Sequence, residues 1–519
     1  MKQLQTISVV SPGFYGLNTQ ESGVTLSTNY AQLVDNCIID KYGRLGARKG
    51  WQMLTDSGDA ELADEPVSFM MEHVNADGST VVISGGNNLL FTDGDASNSL
   101  VDITPALYTV TKNNWKGASL YDHALIVQKD HEPVVYTEST SPVAQTITDY
   151  TSVTQAYGTS YPHDVIAAYG RFWVHDGTSV YWTTDIADTT FPAFNGGTSG
   201  FLNISAVLPN NTDKIIALGA HNGFLIIFCE HNTVIYRGAE NPLGDFALSD
   251  VIAGVGCVAR DSVQHTGNDL IFMSDTGIRS LGRVIQEKSL PMRDLTKNIR
   301  DDFIKDIQAE RNNSTDMDLS EVRAVYSEIN AFYLISFPNT KTIYCLDMRQ
   351  ALEDGSSRVT VWYNFASYSF LRRRDRELLL GKVNGIGRYY GYQDNGSSYR
   401  LRYFSHYMDM QSPTTVKILK QIKATIIGGV GQDFIIKTGL DYSTSYDSFS
   451  FELGGSVPSE YGVSEYGVGE YTVGISLDTV KGSVAGTGST LQIGFEADVN
   501  GSELSVQKLD VFVKTGRTI

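Results

Sequence analysis

At 519 residues the chain is too long for one small core, so two or three domains, or one large repeat array with attachments, are expected. Its 41% hydrophobic content excludes wholesale disorder. A net charge of −19, from 59 acidic and 40 basic residues, excludes a general grip on nucleic-acid phosphates unless basic residues cluster.

Residues 1–60 read as strand and loop, with turns at Ser11-Pro-Gly13 and Tyr42-Gly43. Within them Cys37-Ile-Ile39 reads as a strand, Asp40-Lys-Tyr-Gly43 as a turn, and Arg44 to Arg48 as a return strand. The opening segment lacks the apolar run of a signal peptide. No stretch approaches the roughly 20 apolar residues that span a bilayer. A soluble protein with no membrane span is therefore expected; if it acts outside the cell, it leaves by another means, such as lysis.

From about 61 to 410 one rhythm dominates: a short apolar strand, a Gly/Asn/Asp turn, then a second strand ending in an aromatic. The clearest copies are Asp164–Trp182 and Ile215–Tyr236. Others begin near Val67, Ala118, Ser262, Ala324 and Leu378, so six or seven units are expected. Sheets of this kind cannot bury their faces alone and pack side by side, usually as a β-propeller. The best helix signal is Asp294–Ile307, where Leu295, Ile299, Phe303 and Ile307 make one stripe and Asp294 could cap the start.

Residues 411–519 change character. Val416–Ile427, Asp433–Thr438, Leu491–Asp498 and Leu504–Lys514 read as long strands of a sandwich or added sheet, which 1–60 could join. Between them Glu-Tyr recurs every five residues, at Tyr461, Tyr466 and Tyr471, a period that suits neither helix nor strand. The expected fold is all-β: an irregular β-propeller with an additional β-sheet or sandwich platform region and few short helices.

Motifs for chemistry are lacking. There is no GxSxG, P-loop or HExxH, and the nine histidines never take metal-site spacing, so no catalytic residue, metal or cofactor is nominated. His123, His175, His221, His231 and His265 read as solvated turn residues. Ser274-Asp-Thr-Gly277 and His175-Asp-Gly-Thr178 faintly resemble sialidase Asp-boxes, but they lack the full spacing and fit ordinary hairpin turns. Cys37, Cys229, Cys257 and Cys345 form no CxxC pair. Cys229 and Cys345 sit inside apolar strands and read as buried small hydrophobes, and the set suggests folding in a reducing cytoplasm and not a disulfide framework.

Two basic features stand out in an acidic chain. Arg372, Arg373 and Arg374 could meet phosphates or a partner's carboxylates, or else pair with Asp375 and Glu377. Lys417, Lys420 and Lys423 come every third residue, which scatters them over both faces of a strand. Lys417 and Lys420, with the tyrosines of the Glu-Tyr repeat, are candidate subunit or adaptor contacts, since aromatics favour such interfaces.

The ordered segments resemble a known family, the tail nozzle proteins of short-tailed bacteriophages (tail tubular protein B). The residues that carry this are Gly16-Leu-Asn-Thr19, Asn36, Asp40–Gly50 with Arg48-Lys-Gly50, Tyr169–Val174, Val180–Asp185, Asn222–Phe228, Thr233–Tyr236, Gly254–Gly256 and Asp269–Ser280. They span residues 10–310 in the family's order, while 320–519 is similar only in being strand-rich. The resemblance implies a homo-oligomer, a hexameric ring below the portal-adaptor tail protein. That ring would contact tail fibre or spike proteins and pass double-stranded DNA and ejection proteins. No motif defines the gate. An acidic lumen that does not hold DNA is compatible with such a passage. The alternative is a virion-associated glycan-binding or glycan-cleaving propeller, which should act alone and gather carboxylates on its axis.

Overall fold

The computed structural model describes all residues except 1–3, 11–13, 56–61, 94–98, 105–112, 138–144, 147–160, 187–190, 195, 209–212, 288–293, 315–318, 411, 444, 455–476 and 519. The chain is all-β, with short helices at Leu281–Glu287 and Arg300–Asn313.

Among the described residues, seven antiparallel blades follow one another around a propeller, six of them separate small sheets and the sixth in order the first four strands of a larger sheet. Their innermost strands are Phe69–Val74, Lys116–Leu120, Asp164–Ala168, Ile215–His221, Gln264–His265, Arg323–Ser327 and Ser369–Arg372. Blades 1 to 4 each have four strands and blade 5 has three. Neighbouring inner strands pack together around the ring, with the short turn Arg260–Ser262 bridging blades 4 and 5, and blade 7 returns to blade 1. Blade 7 takes its outermost strand, Trp51–Met53, from the start of the chain, in the register Gly387↔Met53 and Tyr389↔Trp51. Such closure joins the two ends of the array.

Blade 4 shows why the repeat folds this way. Its first two strands, Ile215–His221 and Phe224–Cys229, are joined by Asn222 and Gly223, both at positive φ (49° and 81°). That is the two-residue hairpin turn whose twist matches paired strands. Burial of both faces between neighbours explains the near-continuous apolar run Phe224–Cys229.

Blade 6 does not end at its fourth strand. Arg358–Tyr363 pairs in parallel with Gly16–Leu17 and Tyr30–Asp35, through Gly16↔Val359 and Val361↔Asp35. The sheet then continues through Tyr399–Ser405, Leu491–Val499, Asp433–Leu440 and Asp447–Glu452, ten strands in all. A glycine is required at residue 16: φ is +91°, and a Cβ there would lie 2.7 Å from the backbone N and O of Val359.

A second sheet, ordered Leu477–Gly488, Thr415–Gly428, Leu504–Thr518, Leu45–Ala47 and Cys37–Ile39, has Leu4–Val10 added on Leu504–Thr518. The two sheets share one core containing Leu419, Ile422, Ile426, Phe434, Ile436, Phe495 and Val511. This platform is thus built from both ends of the chain. Tyr399–Ser405, inside the span expected for the propeller, belongs to it, and Trp51–Met53, inside the expected N-terminal segment, belongs to the propeller.

One further expectation needs correcting. The helix begins at Arg300, after a 3-10 turn at Lys297–Ile299, and runs to Asn313. Asp294 is therefore not its cap; it is buried where Leu295 N donates to Ile278 O (2.8 Å), covering the open edge of blade 5. The apolar stripe itself is right, since Leu295, Ile299, Phe303 and Ile307 are all buried. Within the unit expected near Ala118, Tyr121 adopts φ 59° and reverses the chain between Lys116–Leu120 and His123–Val127.

Candidate functional site

The inner ends of the blades converge on a buried ion cluster. Asp261, in the turn that opens blade 5, is its centre. Its carboxylate accepts from Arg260 Nη2 (2.8 Å) and Lys116 Nζ (2.9 Å), and from Arg323 Nη1. Arg260 also donates to Asn114 Oδ1 (2.7 Å), Trp115 O (3.0 Å) and His163 O (2.8 Å). Arg323 Nε donates to Ser68 O (3.2 Å). Residues at the starts of blades 5 and 6 are thereby tied to those entering blades 1, 2 and 3.

Burial alone would raise the Asp261 carboxyl, but the charges of Arg260, Lys116 and Arg323 outweigh it and hold it well below the usual carboxylate range. Asp164 is buried in the inner strand of blade 3, where desolvation raises its carboxyl against the pull of Lys116 and Arg260. It accepts from Leu218 N (2.8 Å), which joins blade 3 to blade 4. Both carboxylates are thus engaged in bonds that tie neighbouring blades together.

Of the five turn histidines, His231 and His265 are exposed as expected and His221 is partly so. His123 and His175 are buried, not solvated. His123 packs edge-on against Phe191 (5.6 Å), and His175 lies against His163 (5.8 Å). Burial lowers His175 to about 3 and His163 to about 4, the latter helped by the nearby His175, so both are neutral at physiological pH. The Asp-box-like segments are turns: Asp176 Oδ1 accepts from Thr178 N (2.9 Å) and Ser179 N (2.7 Å).

Two cavities flank the cluster, of about 520 and 430 Å³, and both are lined by Asn114 and Ser320. The first carries Asp64, Glu65, Glu321 and Arg323, and the second mixes Lys129, Lys214 and Arg311 with Asp176 and Glu230.

The Arg372–Arg374 segment forms the first hairpin of blade 7, closed by Arg373 N to Glu377 O (2.9 Å). Arg372 pairs with Glu328, and Arg373 with Asp375 (3.5 Å) and Glu377 (3.8 Å). Arg374 is exposed; its backbone N donates to Glu72 Oε2 (2.6 Å) of blade 1. Lys417 is buried, its Nζ donating to Ser489 O (2.7 Å), so it is a structural group and not a surface contact. A bulge between Leu419 and Gln421 turns Lys420 outward, where it is exposed. Tyr461, Tyr466 and Tyr471 lie outside the described residues.

Among the described residues, one group brings three possible metal ligands together: Asp213, Glu230 and His231, their ligand atoms within 4.8 Å of one another. Sequence spacing hid it, because Asp213 precedes blade 4 while the other two form a turn inside it. The Asp213 carboxylate already accepts from Asn232 Nδ2 (2.6 Å) and His231 N (3.2 Å), so the cluster is held together without an ion. The described thiols, Cys37, Cys229, Cys257 and Cys345, are all free and buried.

The fold is a β-propeller. No family model and no curated protein sequence matches the chain. Among solved structures it is similar to YCF48 bound to D1 peptide, at 10% identity over 66% of this chain and 97% of that one (TM-score 0.38). The WD40 domain of Neurospora crassa Pan2 matches at 9% identity over 66% of this chain and 96% of that one (TM-score 0.36). The WD40 propeller domain of Doa1 matches at 10% identity over 65% and 96% (TM-score 0.34). These are likenesses of architecture and carry nothing about function.

Proposed function

We propose that the chain is a structural subunit of a phage short-tail nozzle. In this reading it forms a ring, of six copies by the resemblance, below the portal-adaptor tail protein, in the virion. The ring retains genomic DNA and then conducts it with ejection proteins, and tail fibre or spike proteins dock beside it. The observation that best supports this is the Asp261 cluster. It ties the starts of several blades together with fixed ion pairs, so in this reading the propeller serves as a rigid body and the passage for DNA runs between copies. The motif residues also have structural duties suited to a scaffold. Gly16 allows the platform to meet blade 6, and Arg48 and Asn36 lock the same junction. The reaction class is none: the chain acts by shape.

A second reading, a glycan-binding or glycan-cleaving propeller, draws on the two cavities beside the cluster. It is weakened by the engagement of Asp261 and Asp164.

Light scattering on the purified full chain, alone and with candidate portal-adaptor proteins, tests the proposal. A closed ring near six copies, formed alone or on the adaptor, supports it. A monomer that ignores adaptors sinks it and moves attention to glycan arrays and hydrolase assays.

A further inference from the structure

Among the described residues, the second platform sheet is open at both sides. On one side Leu477–Gly488 pairs only with Thr415–Gly428 among the described residues, and on the other Leu4–Val10 pairs only with Leu504–Thr518. We infer that this sheet continues from copy to copy, with Leu4–Val10 of one chain lying antiparallel beside Leu477–Gly488 of the next.

Three observations carry this. The first is polarity. Each neighbouring pair across the four strands is antiparallel, so Leu4–Val10 and Leu477–Gly488 run in opposite directions. A second copy in the same orientation would therefore present an antiparallel partner, and the alternation would pass unbroken across the junction.

The second is level. Thr6 stands opposite Phe512, Phe512 opposite Gln421, and Gln421 opposite Ser483. Ser8 likewise aligns through Asp510 and Lys423 with Lys481. The two open edges lie on the same rungs, so head-to-tail addition needs no axial offset. A head-to-tail contact that repeats by rotation closes into a ring.

The third is the lack of edge protection. Exposed edges are normally blunted by charge, proline or strong bulging. Leu4–Val10 reads Leu-Gln-Thr-Ile-Ser-Val-Val, seven residues without charge or proline, with one irregularity between Ser8 and Val10. Leu477–Gly488 is a twelve-residue edge with only Asp478 and Lys481 charged. Strands of this length and neutrality are templates for pairing.

The inference deepens the ring reading above and rests on it, and paired cysteines separate the two. The native cysteines are buried and do not interfere. Within one chain the edges are three strand spacings apart, about 14 Å, beyond the reach of a disulfide, which needs Cα atoms within about 7 Å. Thr6, which is exposed, is changed to Cys together, in turn, with Lys481→Cys, Ser483→Cys or Ala485→Cys in the full chain, and the assembly is oxidised. The expected result is a ladder of covalent oligomers from at least one pair, reversed by dithiothreitol and absent from each single variant. A ring that forms by light scattering yet gives no ladder from any pair overturns this inference and leaves the ring reading standing. A dimer from Thr6→Cys alone marks a two-fold contact and overturns it as well. A chain that stays monomeric with and without adaptor overturns both.

Discussion

Arg48 and Asp394 form a two-point ion pair in which the arginine is fully buried. Its Nη1 and Nη2 donate to the two carboxylate oxygens at 2.8 and 2.7 Å, and its Nε donates to Asn36 Oδ1 at 3.0 Å. The guanidinium also lies over the Tyr399 ring at 3.9 Å. The pair joins the N-terminal segment to the turn that leaves blade 7, where propeller and platform meet. Arg48→Met removes one partner of a buried pair and leaves Asp394 and Asn36 unsatisfied. The expected cost is about 3–5 kcal/mol, read as a lowered denaturant midpoint. Arg48→Lys should rescue little, because an ammonium cannot reproduce the fork.

The Asp261 cluster predicts a pH signature. Its carboxyl is held below the ordinary value when folded, so its contribution to stability is complete above the unfolded value, about 3.9, and is lost as pH falls toward the folded one. Asp261→Asn leaves three cations around a neutral amide and should cost about 3–5 kcal/mol at pH 7. The gap between variant and wild type should narrow below pH 4. Unfolding curves from pH 7 to 3 check this, and a constant gap would contradict it.

His175 acts at higher pH. Buried and lowered to about 3, it stays neutral in the folded chain while its unfolded form protonates near 6.5. Stability is therefore full above that value and falls as pH drops from about 6.5 toward 3. His175→Gln should flatten the slope of unfolding free energy between pH 6 and 4 by about 1.4 kcal/mol per pH unit, one proton's worth.

Arg374 separates interaction from folding. Its side chain is exposed, and Arg374→Glu should change stability by no more than about 0.5 kcal/mol. If the Arg372–Arg374 hairpin meets DNA or a partner, the same change lowers DNA delivery by assembled virions. Unchanged assembly and delivery removes that contact. Arg373→Glu, placed against Glu72, Asp375 and Glu377, should also loosen the hairpin, so it is the poorer probe.

Much of the propeller was legible because each blade carries its own local instructions. Asn222-Gly223 sets a turn, and Phe224–Cys229 announces a strand buried on both faces. The ion cluster was not legible. Lys116, Asp261 and Arg323 are separated by 145 and 62 residues and share no pattern; only ring closure brings them together. Lys417 misled for a related reason: one bulge puts Lys420 on the outer face while Lys417 points into the platform. Arg48 was visible as part of a motif, but its partner Asp394, 346 residues away, was not.

The ladder between blade 6 and the platform has a mechanical meaning. Where the sheet crosses from one to the other it narrows to the parallel pairs Gly16↔Val359 and Val361↔Asp35, between long antiparallel stretches on either side. A pull that separates the two bodies would load these pairs together with the Arg48–Asp394 lock and the bonds from Thr360 and Trp362 to Cys37 O. Single-molecule stretching should find the first rip at this isthmus, with each body still folded on either side of it.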